Sequence, residues 1–151
     1  MSFRLAAYAV CLDGERVLLV RDLNGTWTLP GGGVEHAEDP FDAVVRELEE
    51  ETGYTGVVER LLGVGSRVIP AAEAVRGEVH QNVGVYYLVR ITGGQLRPEV
   101  GGSTTEAVWT PLGAVTGLRR SSLVDVGIAL ERTRPATGHV DPVPVGGLVR
   151  H

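Results

Sequence analysis

Apolar residues fall into short runs divided by glycine, proline and charged turns. "FRLAAYAVCL" reads as a strand, "DGE" as a turn and "RVLLVR" as the strand's partner. Asn24-Gly25 marks a turn before the short run Trp27 to Leu29, after which Pro30 and three glycines interrupt regular structure. A helix follows. Asp39 can cap it, Pro40 suits its first position, and Gly53 is the expected stop. Phe41, Val44, Val45 and Leu48 recur at helical spacing and predict the face turned to the core. "TGVVERLLGVGSRVI" and "EVHQNVGVYYLVRIT" predict two further strands, with "PAAEAVRG" as the loop between them and Gly93-Gly94 as a turn. "PEVGGSTTE" leads as a loop into a short strand, "AVWT", and two helices are expected over Pro111 to Leu118 and Ser122 to Glu131. Strands before, between and after helices predict an α/β or α+β sandwich over 1–132. The stretch 133–151, rich in proline and glycine, is expected to be a loosely attached tail.

The helix carries an electrostatic problem. Glu47, Glu50 and Glu51 stand at i, i+3 and i+4, so they share one face, while Glu49 points to solvent. Each like-charge pair costs about 0.2–0.5 kcal/mol on an exposed helix, and more where water is excluded. A solvated acidic face would carry interleaved cations, yet Arg46 is the one available. Glu51 borders the apolar stripe and is expected to be partly buried. A divalent cation would supply the missing charge, and carboxylate oxygens suit Mg²⁺ or Mn²⁺. The preceding "LPGGG" lets backbone approach closely. The Gly32 carbonyl is a candidate ligand, and the N–H groups of Gly31, Gly32 and Gly33 are candidate donors to phosphate oxygens.

Composition narrows the partners. The 151 residues fit one domain, and a net charge of −5 argues against a nucleic-acid polymer held by bulk electrostatics. All 14 basic residues are arginines, so basic side chains that touch phosphate must be Arg or His. No apolar run is long enough to cross a membrane, and the N-terminus meets charge too early for a secretory signal, which makes the cytoplasm the expected location. Cys11 stands alone in an apolar run and is expected to be a buried thiol.

Gly32, then Glu38, then Arg46-Glu47-Leu48-Glu49-Glu50-Glu51-Thr52-Gly53-Tyr54 resembles the signature of the Nudix hydrolases, and "WTLPGG" resembles that family's lead-in. Two positions depart from the pattern: Tyr54 fills a position usually aliphatic, and Ala37 stands where many members carry glycine. The resemblance implies an α/β/α sandwich with a mixed β-sheet and Mg²⁺- or Mn²⁺-dependent hydrolysis of a diphosphate bond. The substrate would be a nucleoside diphosphate linked to another group, ADP-ribose and nucleoside triphosphates among the candidates. It also implies that Glu47, Glu50, Glu51 and the Gly32 carbonyl hold the metal. Glu38 would be a further ligand or would fix the helix, and Arg46 would orient a glutamate. Many members form homodimers, which makes a homodimer an option here.

A general base is sought among the helix glutamates, Glu106 and Glu99, with Glu106 preferred over Glu99. Arg4, Arg67 and His80 are candidates to reach substrate phosphates, and Trp27, Tyr54, Tyr86, Tyr87 and Trp109 are candidate stacking platforms. The competing reading is a module of the same fold that binds a nucleotide sugar without cleaving it.

Overall fold

The computed structural model describes residues 1–143. Its elements run β1 (Ser2–Val10), β2 (Leu12–Asp13), β3 (Arg16–Asp22), β4 (Trp27–Thr28), β5 (Gly31–Gly33), α1 (Pro40–Thr52), β6 (Tyr54–Ile69), β7 (His80–Gly94), β8 (Thr104–Pro111), a 3-10 turn (Leu112–Gly117) and α2 (Ser122–Thr133). A mixed sheet has the order β5-β1-β7-β6, with β1 and β7 parallel and the other pairs antiparallel. A second, antiparallel sheet pairs β3 with β2, β4 and β8.

The mixed sheet is covered on both faces, which is why its central strand β1 reads "AAYAV" without polar alternation. On one face Ala7, Ala9 and Tyr87 pack against Val44 and Leu48 of α1. On the other, Ala6, Tyr8, Val10 and Tyr86 pack against Leu123, Val124 and Leu130 of α2. The α/β/α sandwich expected from the sequence is therefore present. Cys11 is buried, and loss of solvation pushes its thiol up to about 12.

Three local expectations change. Gly93 and Gly94 are not a turn; they close β7, paired with Thr55 and Tyr54. The segment after Pro111 is a 3-10 turn and not an α-helix. The first residues of the expected loose tail are attached: Val64 N–H donates to the Gly138 carbonyl at 2.9 Å, and Val140 packs on the α2-side core. The remainder, 144–151, lies outside the described residues. Among the described residues no helix is long and apolar enough to cross a membrane.

Candidate functional site

Helix α1 begins and ends as its sequence dictates. The Asp39 carboxylate accepts from Phe41 N–H at 2.8 Å, and Gly53 takes a left-handed φ of 81°. The buried stripe is rotated from the expected one. Phe41 is 51% exposed, touching Tyr87 edge-on, while Ala43, Val44, Leu48, Glu51 and Thr52 are buried. Val44, Leu48 and Glu51 stand at i, i+4 and i+7, so a carboxylate occupies a position that packing would give to an apolar side chain.

Glu51 is 3% exposed, and its Oε1 accepts from Gly31 N–H at 2.7 Å. Burial drives its pKa well above the ordinary carboxylate range. The Gly31 bond opposes that shift, and the negative charges of Glu47, Glu99 and Glu50 reinforce it. Glu47 is raised as well, first by burial. Its carboxylate lies against Gly32, where a Cβ would come within 2.8 Å of the carboxyl carbon. A side chain at residue 32 would close the gap between strand and helix, which is the local reason for glycine there.

Arg46 binds the acids unequally. Its Nε and Nη2 donate to the two oxygens of Glu38 at 2.8 and 2.9 Å, in a fork. Its Nη1 contacts are longer, 3.1 Å to Glu47 and 3.3 Å to Glu50, and Nη2 reaches the Gly33 carbonyl at 3.2 Å. The guanidinium holds Glu38 down to about 2, assisted by the Glu35 N–H. Both Glu38 oxygens are thus engaged in tying the loop to the helix.

The backbone donor also moves. Ala9 N–H donates to the Pro30 carbonyl and Val34 N–H to the Leu5 carbonyl, so ladder alternation turns Gly32 toward Ala7 of β1. Gly31 and Gly33 face away, as their bonds to Glu51 and Arg46 show. The outward carbonyl that no arginine engages belongs to Gly31, not Gly32.

Among the described residues no three acidic, histidine or cysteine side chains already converge at ligand spacing. The donor chemistry nevertheless fits a hard divalent cation. Glu47, Glu50 and Glu51 offer carboxylate oxygens, two of the three groups are desolvated, and Glu47 and Glu50 would give up only long Arg46 contacts on turning toward a cation.

The late loop reaches this face through Arg97. Its backbone N–H donates to Thr52 O at 2.9 Å, and its guanidinium donates to Glu49 O and Glu50 O at the C-terminus of α1. Glu99 follows, bonded to Ser103 N–H and the Thr104 hydroxyl, and its charge acts on Glu51. Glu106, the preferred candidate from sequence, instead pairs with Arg21 at 2.7 Å on the β3–β8 sheet. A cleft of about 470 Å³ beside Glu51 is lined by Gly31, Tyr8, Arg4 and Thr104. A second, of about 440 Å³, is lined by Glu50, Arg97 and Glu99.

The profile of the NUDIX domain matches residues 2–125. The chain belongs to the Nudix family. This Nudix chain is 38% identical over 98 residues to an ADP-ribose pyrophosphatase of Methanocaldococcus jannaschii, covering 59% of this chain and 54% of that protein. It is 45% identical over 68 residues to human diphosphoinositol polyphosphate phosphohydrolase 3-alpha, covering 42% of each. The chain thus spans about half the length of the curated relatives it matches, or less. A MutT NUDIX hydrolase from Burkholderia pseudomallei superposes with a TM-score of 0.63 at 30% identity, covering 88% of this chain and 99% of that one.

The other sequence candidates are not gathered at the Nudix acids. Arg67 donates to the Ser121 and Ser122 hydroxyls at 3.2 and 2.9 Å, and the His80 ring bonds the Ser2 hydroxyl at 2.6 Å. Trp109 donates to the Tyr54 hydroxyl at 3.0 Å, and Trp27 pairs with Arg120 across a bridge, so neither ring lines the clefts. Sequence reasoning missed Arg97 and Asn82. Both act through partners more than forty residues away in sequence, and no local spacing marks them.

Proposed function

We propose that this chain is a Mg²⁺- or Mn²⁺-dependent pyrophosphohydrolase that cleaves a diphosphate bond in a nucleoside diphosphate linked to another group. The observation that carries the reading is Glu51, an acid buried beside Glu47 where packing alone would place an apolar residue. Glu47, Glu50, Glu51 and the Gly31 carbonyl would hold the metal. Once bound, it would offset the diphosphate charge and lower the pKa of a water. Arg46, anchored on Glu38, sets the position of Glu47 and Glu50. Glu99, whose charge acts on Glu51 from the late loop, would accept the proton of the attacking water. Arg4 lines the same cleft and would contact a phosphate oxygen. The M. jannaschii relative's name supports ADP-ribose as the first substrate to try, and the human relative's name supports diphosphoinositol polyphosphates as the second.

The test is hydrolysis of a panel that includes ADP-ribose, nucleoside triphosphates, nucleotide sugars and diphosphoinositol polyphosphates, with Mg²⁺ and after chelation. Glu50→Gln should lower turnover by at least about 100-fold, since even partners outside the ligand set are worth about 10–100-fold. Undiminished turnover in that variant removes Glu50 from the site. Tight binding of a nucleotide sugar without cleavage of any panel member points to the non-catalytic module instead.

A further inference from the structure

The α2 side of the mixed sheet holds a cavity of about 250 Å³ that the acids of α1 do not line. Its walls are largely apolar: Leu123 and Val126 of α2, Val140 of the segment after α2, and Tyr86 of β7. Gly65 of β6 leaves the room. A Cβ there would stand 3.6 Å from the Tyr86 ring and 3.8 Å from Val126, inside the space between sheet and helix. Pockets that take a whole drug-sized ligand run to roughly 300–1,000 Å³, and one water fills about 30 Å³. A volume between those bounds suits a single ring system.

One polar group in that wall is unmet. Asn82 of β7 is 1% exposed and lines the cavity. Its Nδ2 donates to the Tyr8 hydroxyl at 3.1 Å, while its Oδ1 is buried with no hydrogen-bond partner. A buried carbonyl left unmet destabilises the fold, and an apolar side chain of the same shape would avoid that loss. The amide therefore points to a partner from outside the chain. It presents an acceptor beside an N–H donor, and a nucleobase carries the complementary pair on a flat, weakly polar ring. Asn pairs with adenine through two such bonds at once.

We propose that this cavity is a nucleobase pocket in which Asn82 reads the base, so that the substrate is a nucleotide and not a diphosphoinositol polyphosphate. The substrate clause rests on the pyrophosphohydrolase reading; the base pocket does not. The pocket adjoins the cleft beside Glu51. Tyr8, whose hydroxyl holds Asn82, lines that cleft, and Leu123 lines both spaces. Tyr8 pairs with Gly31, and Asn82 pairs with β1 four residues upstream, roughly 13 Å along the strand. A ribose can carry its base across that span while the diphosphate stays at the acids. A densely phosphorylated inositol ring would instead need several cations, where the walls are aliphatic and Arg67 is held by the Ser121 and Ser122 hydroxyls.

The first experiment titrates AMP, GMP, CMP and UMP into the full chain after chelation of metals, with ribose 5-phosphate and inositol hexakisphosphate as probes that lack a base. NMR follows the Asn82 side-chain amide and the Gly65 backbone amide. A saturable shift is expected with at least one nucleotide and with neither baseless probe. Asn82→Leu, followed at residue 65, should weaken that nucleotide about ten- to hundredfold, the worth of a two-bond base contact. Asn82→Asp offers two acceptors and should move the preference toward GMP, whose N1–H and N2–H are adjacent donors; a purely structural amide would leave the order of bases unchanged. Gly65→Val fills the pocket without touching Asn82 and should also weaken binding, which decides the matter if the Asn82 variants do not fold. No saturable shift with any nucleotide, equal shifts with ribose 5-phosphate, or unchanged affinity in Asn82→Leu or Gly65→Val overturns the pocket. The second experiment compares kcat/KM in Mg²⁺ for the best nucleotide of the hydrolysis panel and for a diphosphoinositol polyphosphate. The nucleotide should be favoured, and Asn82→Leu should raise its KM about tenfold, more than it lowers kcat. An equal or larger value for the inositol compound overturns the substrate clause. If no panel member is cleaved while nucleotides still bind, the hydrolase reading falls and the base pocket stands.

Discussion

The two faces of the mixed sheet carry opposite charges, built in opposite ways. On the α1 face, Glu47, Glu50 and Glu51 come from five consecutive residues of one helix, which holds the like charges together whatever the surroundings. On the α2 face, Arg4, Asn82 and Arg67 come from three strands and meet only because β1, β7 and β6 pair in that register. Glu47 and Glu51 are drawn out of water on the first face and Arg67 on the second, whereas Glu50 stays half exposed. The desolvated acids call for a cation, whereas Arg67 already rests on the Ser121 and Ser122 hydroxyls.

The comparison breaks most visibly at Arg46, a cation embedded among the acids. Its fork to Glu38 is short, while its contacts to Glu47 and Glu50 are long. Arg46→Ala should therefore cost about 10–100-fold in kcat, the range for groups that orient metal ligands, and should do so through Glu47 and Glu50. Arg46→Lys should recover little, because an ammonium cannot grip both Glu38 oxygens at once. Steady-state rates with saturating Mg²⁺ measure both; full activity in the lysine variant would show that charge alone suffices.

Next in size is the effect of pH on the metal-free chain. Burial lifts Glu51 and Glu47 above the ordinary carboxylate range. Between the ordinary and raised values the folded chain keeps protons that the unfolded chain has released, so stability falls as pH rises through that window. Glu51→Gln keeps an acceptor for Gly31 N–H and removes the charge. It should flatten the fall and gain on the order of 1–3 kcal/mol at about pH 8, read by urea unfolding in chelator. Glu38 works in the other sense: held down to about 2, its contribution is present above the ordinary carboxylate value and is lost as pH falls toward 2. Metal reverses the Glu51 trend, since ligation requires the ionised form. A slope unchanged by Glu51→Gln would place the buried charge elsewhere.

A smaller contrast separates two acids of the late segment. Glu99 acts on Glu51, while Glu106 is spent on Arg21 in an ion pair with both side chains about two-fifths exposed. Glu99→Gln should lower kcat by at least about 100-fold if it takes the proton, the lower end for general base catalysis. Glu106→Gln should change stability by less than about 1 kcal/mol and leave kcat near its starting value. The reverse ranking, measured in one assay, would restore Glu106 as the base. Sequence ranked Glu106 above Glu99 within the late loop; it gave no sign that Arg97 would tie Glu99 to the end of α1.

What was legible follows the same division. The cap, the stop and the acid face lie within one stretch, Gly31 to Gly53, where spacing decides who meets whom, although the three glycines expected to interrupt regular structure form strand β5. The strands and both covering helices were also readable, because burial on two faces leaves unbroken apolar runs such as "AAYAV". Two assignments inside that stretch still needed the strand. Whether Gly31 or Gly32 turns its carbonyl outward depends on β1 hydrogen-bond phase, which no local pattern encodes. Whether Phe41 or Glu51 takes the buried position depends on how α1 is rolled over Tyr87. Arg67 and His80 were visible as candidate phosphate contacts, but not as partners of Ser121, Ser122 and Ser2, since long-range register set those meetings.

The smallest effect tests the loop that joins strand to helix. Ala37 holds a left-handed φ of 63°, a conformation that glycine enters freely and alanine enters at a cost of about 1–2 kcal/mol. The loop therefore keeps the backbone path a glycine would give, because the Glu35 N–H bond to Glu38 and the Arg46 fork fix it from both sides. Ala37→Gly relieves the strain but loosens the unfolded chain by about 0.4–1 kcal/mol, which leaves a net gain of roughly 0.5 kcal/mol. Thermal unfolding should rise by about 1–2 °C with kcat unchanged. Gly31 admits no reverse exchange, since a Cβ there would run into the Ala7 carbonyl and the Tyr8 ring. A destabilised Ala37→Gly would mean that Ala37 is held by packing rather than strained by its backbone, and that the Glu38–Arg46 clamp is not what sets the loop.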